Sequence, residues 1–481
     1  MTFWRTGTRR MMALTISLTL LLLNLPMVLL FGLQVWEYAR FHTSRIRELR
    51  RTVAEMAAKK NGDVKQNAAE HGAAASLVVV PCCGMEPGLT RNLHAILRQV
   101  HTAYRVRFVV ESESDPATPA IQRIIDEVAE NGTVNGEAMT ALSVELLFAG
   151  TPKSPKTGRK IHGLLAATRD LPDNCDRVAF FDSDIQPAPW TLWALTSHFG
   201  DKERSPSQKP AAPSDRSENQ RRHRRKPIGA ATGYRWLIPG DTNSGDIGPS
   251  HGCSGTRVAG VNGSVAVLFG KDSPTFVWGG AWAMPRPLFD QLRIRHHWHG
   301  GLSDDMIVRR VLSDAGYRSQ FDPGAVVVGH WNGSLADGFR FIRRQYQFIH
   351  HTAPAWWWFA IGVLLINQLA FWVPPAALAG TWTAVHAGPT DGVSNGVTWW
   401  GVALLWGTLA LLRTIIAWKI GLFERRAFAE PIFHESGSHP SNRHRFGRHG
   451  PLTGLYHLSA AFAAGFGFTI FWRGIRYSMK R

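Results

Sequence analysis

The sequence predicts an α/β domain with a mostly parallel β-sheet, held at a membrane by apolar helices on both sides of it. Two observations support this prediction. Between residues 75 and 335, short apolar runs alternate with amphipathic helical segments. An uncharged apolar run at 11–33 precedes this part of the chain, and further apolar runs follow at about 355–378, 398–418 and 452–472.

Composition narrows the class of protein. The chain of 481 residues has 54 Lys and Arg against 36 Asp and Glu, a net charge of +18, although only 19% of its residues are charged. This balance favours a membrane surface or a polyanionic ligand over a cytosolic metabolic enzyme. A mean hydropathy of −0.12 excludes a protein that is mostly embedded in the membrane. Four cysteines exclude a disulfide-rich secreted scaffold, and the adjacent Cys82 and Cys83 provide no CxxC pair.

Residues 1–36 are the predicted N-terminal membrane anchor. Their apolar run reaches the roughly 20 residues that a membrane-crossing helix needs. The run is too long for a signal peptide and no small-residue cleavage site follows it, so we expect an uncleaved anchor. Residues 37–75 are basic and helix-prone, which fits either a juxtamembrane helix near lipid headgroups or a solvated linker.

Residues 76–337 form the predicted soluble domain. Strands are expected at 77–83, 105–112, 144–150 and 177–184, and helices at 91–100, 121–130 and 162–170. Such repeats imply right-handed crossovers and a ligand at the carboxyl ends of the strands. Residues 201–227 are rich in Pro, Ser and charge and predict a disordered insertion. Its basic run fits either a solvated loop or a contact with anionic lipid or nucleic acid.

Loop charges predict the orientation in the membrane. Residues 379–397 have no Lys or Arg, whereas residues 419–451 have six. The positive-inside rule then places the second loop and the soluble domain in the cytoplasm. The basic residues at both chain ends would lie outside, in conflict with the rule. The apolar run at 452–472 is therefore left open as a spanning, interfacial or re-entrant segment of the C-terminal membrane region, 355–481.

The strongest local motif is VAFFDSDI at 178–185, in which a buried strand ends at Asp182 and Asp184. Alternate residues of a strand point the same way, so both carboxylates can face one ligand. Two such oxygen donors suit Mg²⁺ or Mn²⁺ held together with substrate phosphates. The alternative is a strand end whose side chains only cap a helix.

A second acidic motif, SDD at 303–305, predicts the start of an amphipathic helix. A carboxylate there fits either a helix cap or a general base for an acceptor hydroxyl. A third motif lies in the predicted interfacial helix at 338–354, whose basic side chains suit either a diphosphate or lipid phosphates. Its candidate residues are Arg340, Arg343, Arg344 and Gln345.

In order along the chain, ESESDP, GRKIHGL, DSD, a GG turn, SDD and an arginine-rich motif precede membrane spans. This order resembles the membrane-bound inverting GT-A glycosyltransferases of the family 2 type, most closely the ceramide glucosyltransferase-like group. The resemblance covers about residues 76–350. It implies a GT-A fold, which is a Rossmann-like mixed sheet, with one N-terminal and about three C-terminal transmembrane helices.

The resemblance also implies roles for individual residues. The first acidic motif would contact the nucleotide through Glu111, Glu113 or Asp115, because Ser112 stands where the family has its key Asp. The other implied donor-binding residues are Lys160, Asp182, the turn glycines Gly279 and Gly280, and Arg340, Arg343, Arg344 and Gln345. Asp182 and Asp184 would hold the metal, and Asp305 would be the catalytic base with Asp304 beside it. The last motif departs from the family pattern, since Arg344 stands where Trp belongs.

The implied reaction is transfer of a sugar, with inversion, from a nucleotide-diphosphate sugar, a UDP-sugar by resemblance, to an acceptor hydroxyl. Few membrane helices favour a membrane lipid acceptor over an extruded polymer. The alternatives are a processive polysaccharide synthase of the cellulose or hyaluronan type and a non-enzymatic, membrane-anchored basic binding protein. We expect an integral membrane protein with a cytoplasmic catalytic domain (in the inner membrane if the source is bacterial) and no nucleic-acid partner.

Overall fold

The structure is a computed structural model. It describes residues 2–59, 75–86, 88–100, 103–134, 136–152, 157–199, 226–239, 252–270, 276–331, 333–386, 392–428, 450–472 and 475–478. Almost all of the predicted insertion at 201–227 lies outside the described residues.

The described helices and strands follow the expected alternation. In chain order the helices are α1 (Thr2–Lys59), α2 (Leu89–Leu97), α3 (Thr118–Asn131), α4 (Arg159–Ala167), α5 (Thr191–Thr196), α6 (Gly252–Ala266), α7 (Arg286–Gln291), α8 (Ile294–Trp298), α9 (Asp304–Asp314), α10 (Leu335–Thr352), α11 (Pro354–His386), α12 (Gly392–Phe428) and α13 (Pro451–Ala463). The strands are β1 (Ala75–Pro81), β2 (Tyr104–Val110), β3 (Thr133–Val134), β4 (Glu137–Ala138), β5 (Ser143–Phe148), β6 (Cys175–Phe181), β7 (Ile228–Pro239), β8 (Ala281–Pro285), β9 (Arg318–Trp331), β10 (Thr469–Trp472) and β11 (Ile475–Ser478).

Seven strands form one sheet in the order β5-β2-β1-β6-β8-β7-β9. The first four neighbours in this order are parallel, β8 runs antiparallel to both β6 and β7, and β9 is parallel to β7. The predicted fold class, a mixed α/β sheet, is therefore confirmed. The carboxyl ends of β1, β2 and β6 meet at one edge, where the acidic motifs follow their strands.

The central strand β1 is apolar on both of its faces. Val78 and Val80 join the core on one side of the sheet, while Leu77 and Val79 join the core on the other. These four side chains are at most 1% exposed. A parallel strand covered on both faces loses the alternation of apolar and polar residues, which explains the unbroken LVVV run.

Three described helices are long and apolar enough to cross a membrane: Met11–Glu55, Pro354–Trp382 and Thr398–Ala427. The N-terminal span and two of the three C-terminal runs are therefore confirmed as candidate spans. The third run, at 452–472, forms α13, a helix of 13 residues, followed by the antiparallel hairpin of β10 and β11. At 1.5 Å per residue α13 is only about 20 Å long, which is too short for a hydrocarbon core of about 30 Å.

Helix α1 continues beyond its apolar run and packs on the soluble domain. Leu49 is buried in the core of the domain. Arg45 forms an ion pair of 2.9 Å with Asp322, whose Oδ2 also lies 2.7 Å from Nε2 of His198. Of the two alternatives for residues 37–75, the structure has a packed helix up to Lys59, and residues 60–74 lie outside the described part of the chain.

Candidate active site

Strand β6 delivers the DSD motif to the carboxyl edge of the sheet. The backbone N–H of Asp182 donates to the carbonyl of Gly280 at 2.9 Å, which joins the motif to the GG turn before β8. Ser183 between the two carboxylates points elsewhere and donates to Glu86 at 3.0 Å. Asp182 and Asp184 both line the same cavity, as the strand alternation predicts.

Lys160, in the first turn of α4, connects the acidic motifs. Its Nζ lies 2.8 Å from Oδ1 of Asp182 and 3.1 Å from Oδ1 of Asp304, and it donates to the carbonyl of Gly279 at 3.0 Å. Burial disfavours the charged ammonium, but the adjacent carboxylates outweigh it and raise the pKa of Lys160 above its usual value. Lys160 thus stays protonated.

Asp305 lies in the first turn of α9 with both carboxylate oxygens held. Oδ1 accepts from the backbone N–H of Met306 at 2.7 Å and from the hydroxyl of Ser303. Oδ2 accepts from the backbone N–H of Gly279 at 3.0 Å. The carboxylate is partly exposed to the cavity, so it can accept a proton from a bound hydroxyl.

The neighbouring Asp304 has a different environment. It is 3% exposed, and its Oδ2 has no hydrogen-bond partner among the described residues. Burial raises the pKa of the Asp304 carboxyl, partly offset by Lys160. Its contact with Lys160 makes it a partner of that lysine, whereas Asp305 is the more accessible carboxylate.

The opposite pair, Asp184 and Arg235, forms an ion pair at the same edge. Burial raises the pKa of Asp182, while Lys160 opposes this increase. The two motifs bring together four aspartates, and the ion pairs among the described residues join them to two cations, Lys160 and Arg235, so the acidic side chains outnumber the basic ones by two. That excess suits a divalent cation with oxygen ligands.

A Mg²⁺ or Mn²⁺ site built on Asp182 and Asp184 is compatible with this chemistry. Among the residues that the structure describes, no group of three or more His, Cys, Asp and Glu side chains is already arranged around one point. The two carboxylates are instead paired with Lys160 and Arg235. Substrate phosphates would therefore have to supply further oxygen ligands.

These residues line a cavity of about 1310 Å³. The predicted site residues on its wall are Glu111, Lys160, Asp182, Asp184, Gly279, Gly280, Asp304, Asp305, Arg344 and Gln345. From the carboxyl edge of the sheet the cavity continues between α1, α11 and α12, where Phe31, Phe359 and Phe371 contribute to its wall.

The three carboxylates of the first acidic motif have different surroundings in the structure. Glu111 lines the cavity and pairs with Arg159 at 3.1 Å. Asp115 accepts from the backbone N–H groups of Gly84 and Ala117, both at 2.8 Å, and so holds the loops after β1 and β2. Glu113 is exposed and away from the cavity. Glu111 is thus the one carboxylate of this motif that lines the cavity.

The candidate residues of the arginine motif on α10 also have different surroundings. Arg340 pairs with Asp337 at 2.6 Å and is 67% exposed. Arg343 donates to the carbonyls of Ala463 and Phe466, at 3.0 and 2.6 Å, at the end of α13. Only Arg344 and Gln345 of the four candidates line the cavity.

Sequence reasoning missed Arg235 on β7 and Glu86 in the loop after β1. A signal existed for Glu86, because it follows an apolar strand that ends at the ligand edge. No comparable signal existed for Arg235, since its strand was not predicted.

Residues 46–133 match the family model of glycosyl transferase family 21. The matched segment includes β1, β2 and Glu111. Comparison with curated proteins gives no significant match. The match supports a glycosyltransferase.

Many solved structures are similar to the chain, and two of them contain Mn²⁺. One is the mannosyltransferase PcManGT from Pyrobaculum calidifontis in complex with GDP-Man and Mn²⁺, at 18% identity and a TM-score of 0.33, covering 83% of this chain and 99% of that one. The other is glucosyl-3-phosphoglycerate synthase from Mycobacterium tuberculosis in complex with Mn²⁺, UDP and phosphoglyceric acid, at 15% identity and a TM-score of 0.30, covering 62% and 82%.

Proposed function

We propose that the protein is an inverting hexosyltransferase that moves a sugar from a nucleotide-diphosphate sugar, most simply a UDP-sugar, to a hydroxyl of a membrane lipid. The observation that carries this proposal is the position of Asp305. Its carboxylate is held by Gly279, Ser303 and Met306 in the wall of the cavity that also contains Asp182 and Asp184.

In the proposed reaction, the hydroxyl oxygen of the acceptor bonds to the anomeric carbon of the donor sugar. The bond from that carbon to the diphosphate oxygen breaks at the same time, and the hydroxyl proton passes to Asp305. No enzyme nucleophile takes part, so the configuration at the sugar carbon inverts. Glu111 would contact the nucleotide, and the Gly279–Gly280 turn would lie beside the sugar.

Positive side chains would stabilise the leaving diphosphate. Lys160 and Arg235 already contact Asp182 and Asp184, and Arg344 lies in the same cavity wall. A Mg²⁺ or Mn²⁺ ion bound by the two aspartates would supply further neutralisation of the charge that develops on the diphosphate. Arg340 and Arg343 would act only if α10 or its contacts moved.

The course of the cavity supports a lipid acceptor. Phe31 of α1, Phe359 of α11 and Ile416 of α12 line it, and each belongs to a candidate membrane span. A lipid could therefore enter the cavity from the bilayer between these apolar side chains and reach Asp305 at its polar end. A soluble acceptor would not need this apolar route.

We further propose a cytoplasmic site, in the inner membrane if the source is bacterial. Because α13 is too short to cross, the hairpin of β10 and β11 that follows it would lie on the same side of the membrane as the start of α13, at the end of the basic loop. The basic residues of the tail then no longer conflict with the positive-inside rule. No nucleic-acid partner is needed to account for the charge.

The test is to incubate membranes containing the full chain with a panel of labelled nucleotide sugars and then extract the lipids. We expect label in a singly glycosylated lipid, and none with Asp305→Asn, which should still bind the donor. A labelled polymer would identify a processive synthase instead. Near-normal turnover by Asp305→Asn would overturn the assignment of the base.

A further inference from the structure

Charge is distributed unevenly along the cavity. Its acidic side chains, Glu111 and the four aspartates, all lie at the carboxyl edge of the sheet. We call the part formed by α1, α11 and α12 the membrane arm. Among the described residues that line the membrane arm there is no Asp or Glu, but Arg413 of α12 is there.

Arg413 lies within a candidate membrane span, next to apolar side chains. Its Nη2 donates to Oδ1 of Asn24 at 2.6 Å and to the carbonyl of Asn367 at 3.2 Å, and its guanidinium lies 5.5 Å from the ring centre of Phe371. Its Nε is buried and has no hydrogen-bond partner among the described residues. Neutral partners satisfy part of its hydrogen bonding but do not compensate its charge.

A second cation of the cavity wall is on α9, the helix that carries the proposed base. Arg309 is one helical turn after Asp305 on α9, lines the cavity, and stacks 4.4 Å from the ring centre of Phe276. In the part of the chain that the structure describes, Arg309 has no carboxylate partner. Burial lowers the pKa of its guanidinium, which indicates desolvation without a compensating anion.

An arginine in a low-dielectric environment is costly unless an anion is near it. Lipid phosphates are the anions that a bilayer supplies, and a guanidinium binds them through paired hydrogen bonds. We propose that the membrane arm takes an anionic lipid, whose phosphate is bound by Arg413, and that the acceptor is a lipid of this class with a free hydroxyl. This inference rests on the proposed function.

The competing explanation is that Arg413 only joins α1 to α11. Asn24→Asp separates the two, because it places a carboxylate at the atom 2.6 Å from Nη2 of Arg413. If Arg413 binds a lipid phosphate, this internal carboxylate should displace the lipid while the contact between helices is kept. If Arg413 only joins helices, lipid binding should not change.

The experiment uses the purified full chain in nanodiscs of equal parts phosphatidylcholine and phosphatidylglycerol, without nucleotide sugar. Lipids that remain bound are counted by native mass spectrometry. We expect about a tenfold preference for phosphatidylglycerol. Arg413→Gln and Asn24→Asp should lose it, and Arg413→Lys should keep part of it. The control is Arg426→Gln, at the exposed end of the same helix, which should behave as the unaltered chain.

Two outcomes would overturn the proposal: no preference in the unaltered chain, or a preference that persists in both Arg413→Gln and Asn24→Asp. Thermal unfolding of each variant shows whether a loss reflects misfolding. Since lipid retention is measured without turnover, its failure is distinct from failure of the sugar-transfer test. With an active chain, Arg309→Gln should raise the KM for an anionic acceptor and leave the KM for the donor unchanged.

Discussion

The backbone N–H of Gly279 donates a hydrogen bond of 3.0 Å to Oδ2 of Asp305, and thereby joins the GG turn to the start of α9. The same turn offers the carbonyl of Gly279 to Lys160 and the carbonyl of Gly280 to the N–H of Asp182. One turn thus orients the proposed base, the lysine and the start of the DSD motif. When catalytic groups are held in place in this way, a small displacement of one of them can lower the reaction rate strongly.

We predict that Gly279→Ala lowers kcat by about 10- to 100-fold. The added Cβ would lie 3.0 Å from Oδ2 of Asp305 and 3.1 Å from Nζ of Lys160, so both groups would have to move. Steady-state kinetics and thermal unfolding provide the measurement. Gly362→Ala, where the added Cβ meets nothing within 4 Å, is the control. Equal kcat values for the two variants would contradict the role of the turn.

Metal dependence gives a second prediction. Transfer should stop with a chelator and return with Mg²⁺ or Mn²⁺. Because Arg235 pairs with Asp184, it competes with a cation for that carboxylate. Arg235→Gln should therefore lower the metal concentration that gives half-maximal activity, and Asp184→Asn should raise it. The measurement is a metal titration of each variant, and an unchanged midpoint in both would exclude Asp184 as a ligand.

The arginine motif gives a third prediction, because neighbouring residues have different surroundings. Arg344→Gln should raise the KM for the donor, since Arg344 lines the cavity. Arg343→Gln should instead lower stability by about 1–2 kcal/mol through lost hydrogen bonds to the end of α13. Steady-state kinetics and thermal unfolding of both variants test this prediction. It would be contradicted if Arg344→Gln lowered stability and Arg343→Gln raised the KM for the donor.

The fourth prediction concerns the contact between α1 and the domain. Burial alone would raise the pKa of the Asp322 carboxyl, but the hydrogen bond with His198 and the charge of Arg45 hold it below its usual value. This carboxylate therefore contributes stability above the unfolded pKa of about 3.9, and the contribution is lost as pH falls through the lower folded pKa.

Asp322→Asn should thus cost about 3–5 kcal/mol near pH 7 and progressively less below about pH 4. The measurement is thermal unfolding of the purified chain across this pH range. Glu48→Gln removes the other carboxylate paired with Arg45; the Glu48 side chain is 64% exposed, so this change should have little effect. A deficit for Asp322→Asn that is constant with pH would contradict this account.

The strands that precede the acidic motifs could be predicted because their information is local. The runs that became β1, β2, β5 and β6 are apolar, short and separated by helical patterns. Asp182 and Asp184 could be singled out for the same local reason, because they follow a predicted strand at the ligand edge. Asp305 could be singled out because it lies at the start of a predicted helix. The local sequence does not determine which carboxylates face the cavity. Glu111 and Glu113 are two residues apart, yet Glu111 lines the cavity and Glu113 does not.

The elements that were missed depend on long-range packing. Strand β7 contains Gly233, where an added Cβ would lie 1.7 Å from the carbonyl oxygen of Ala325 in β9. Glycine there permits close pairing but weakens the strand signal. Helix α6 has four glycines in 15 residues, and Asn262 within it accepts from the N–H of Leu237 at 2.8 Å. In both elements the local sequence has a weak propensity for the observed secondary structure, and tertiary contacts stabilise it.

Helix α1 is continuous for 58 residues, about 87 Å, and its far part is fixed to the domain by Leu49 and the Arg45–Asp322 pair. In the proposed arrangement, this helix runs from the membrane into the domain and therefore fixes the distance of Asp305 from the bilayer surface. Acceptors would then be selected by depth as well as by chemistry: a hydroxyl carried at another level of the leaflet would stay out of reach, however well its headgroup fitted.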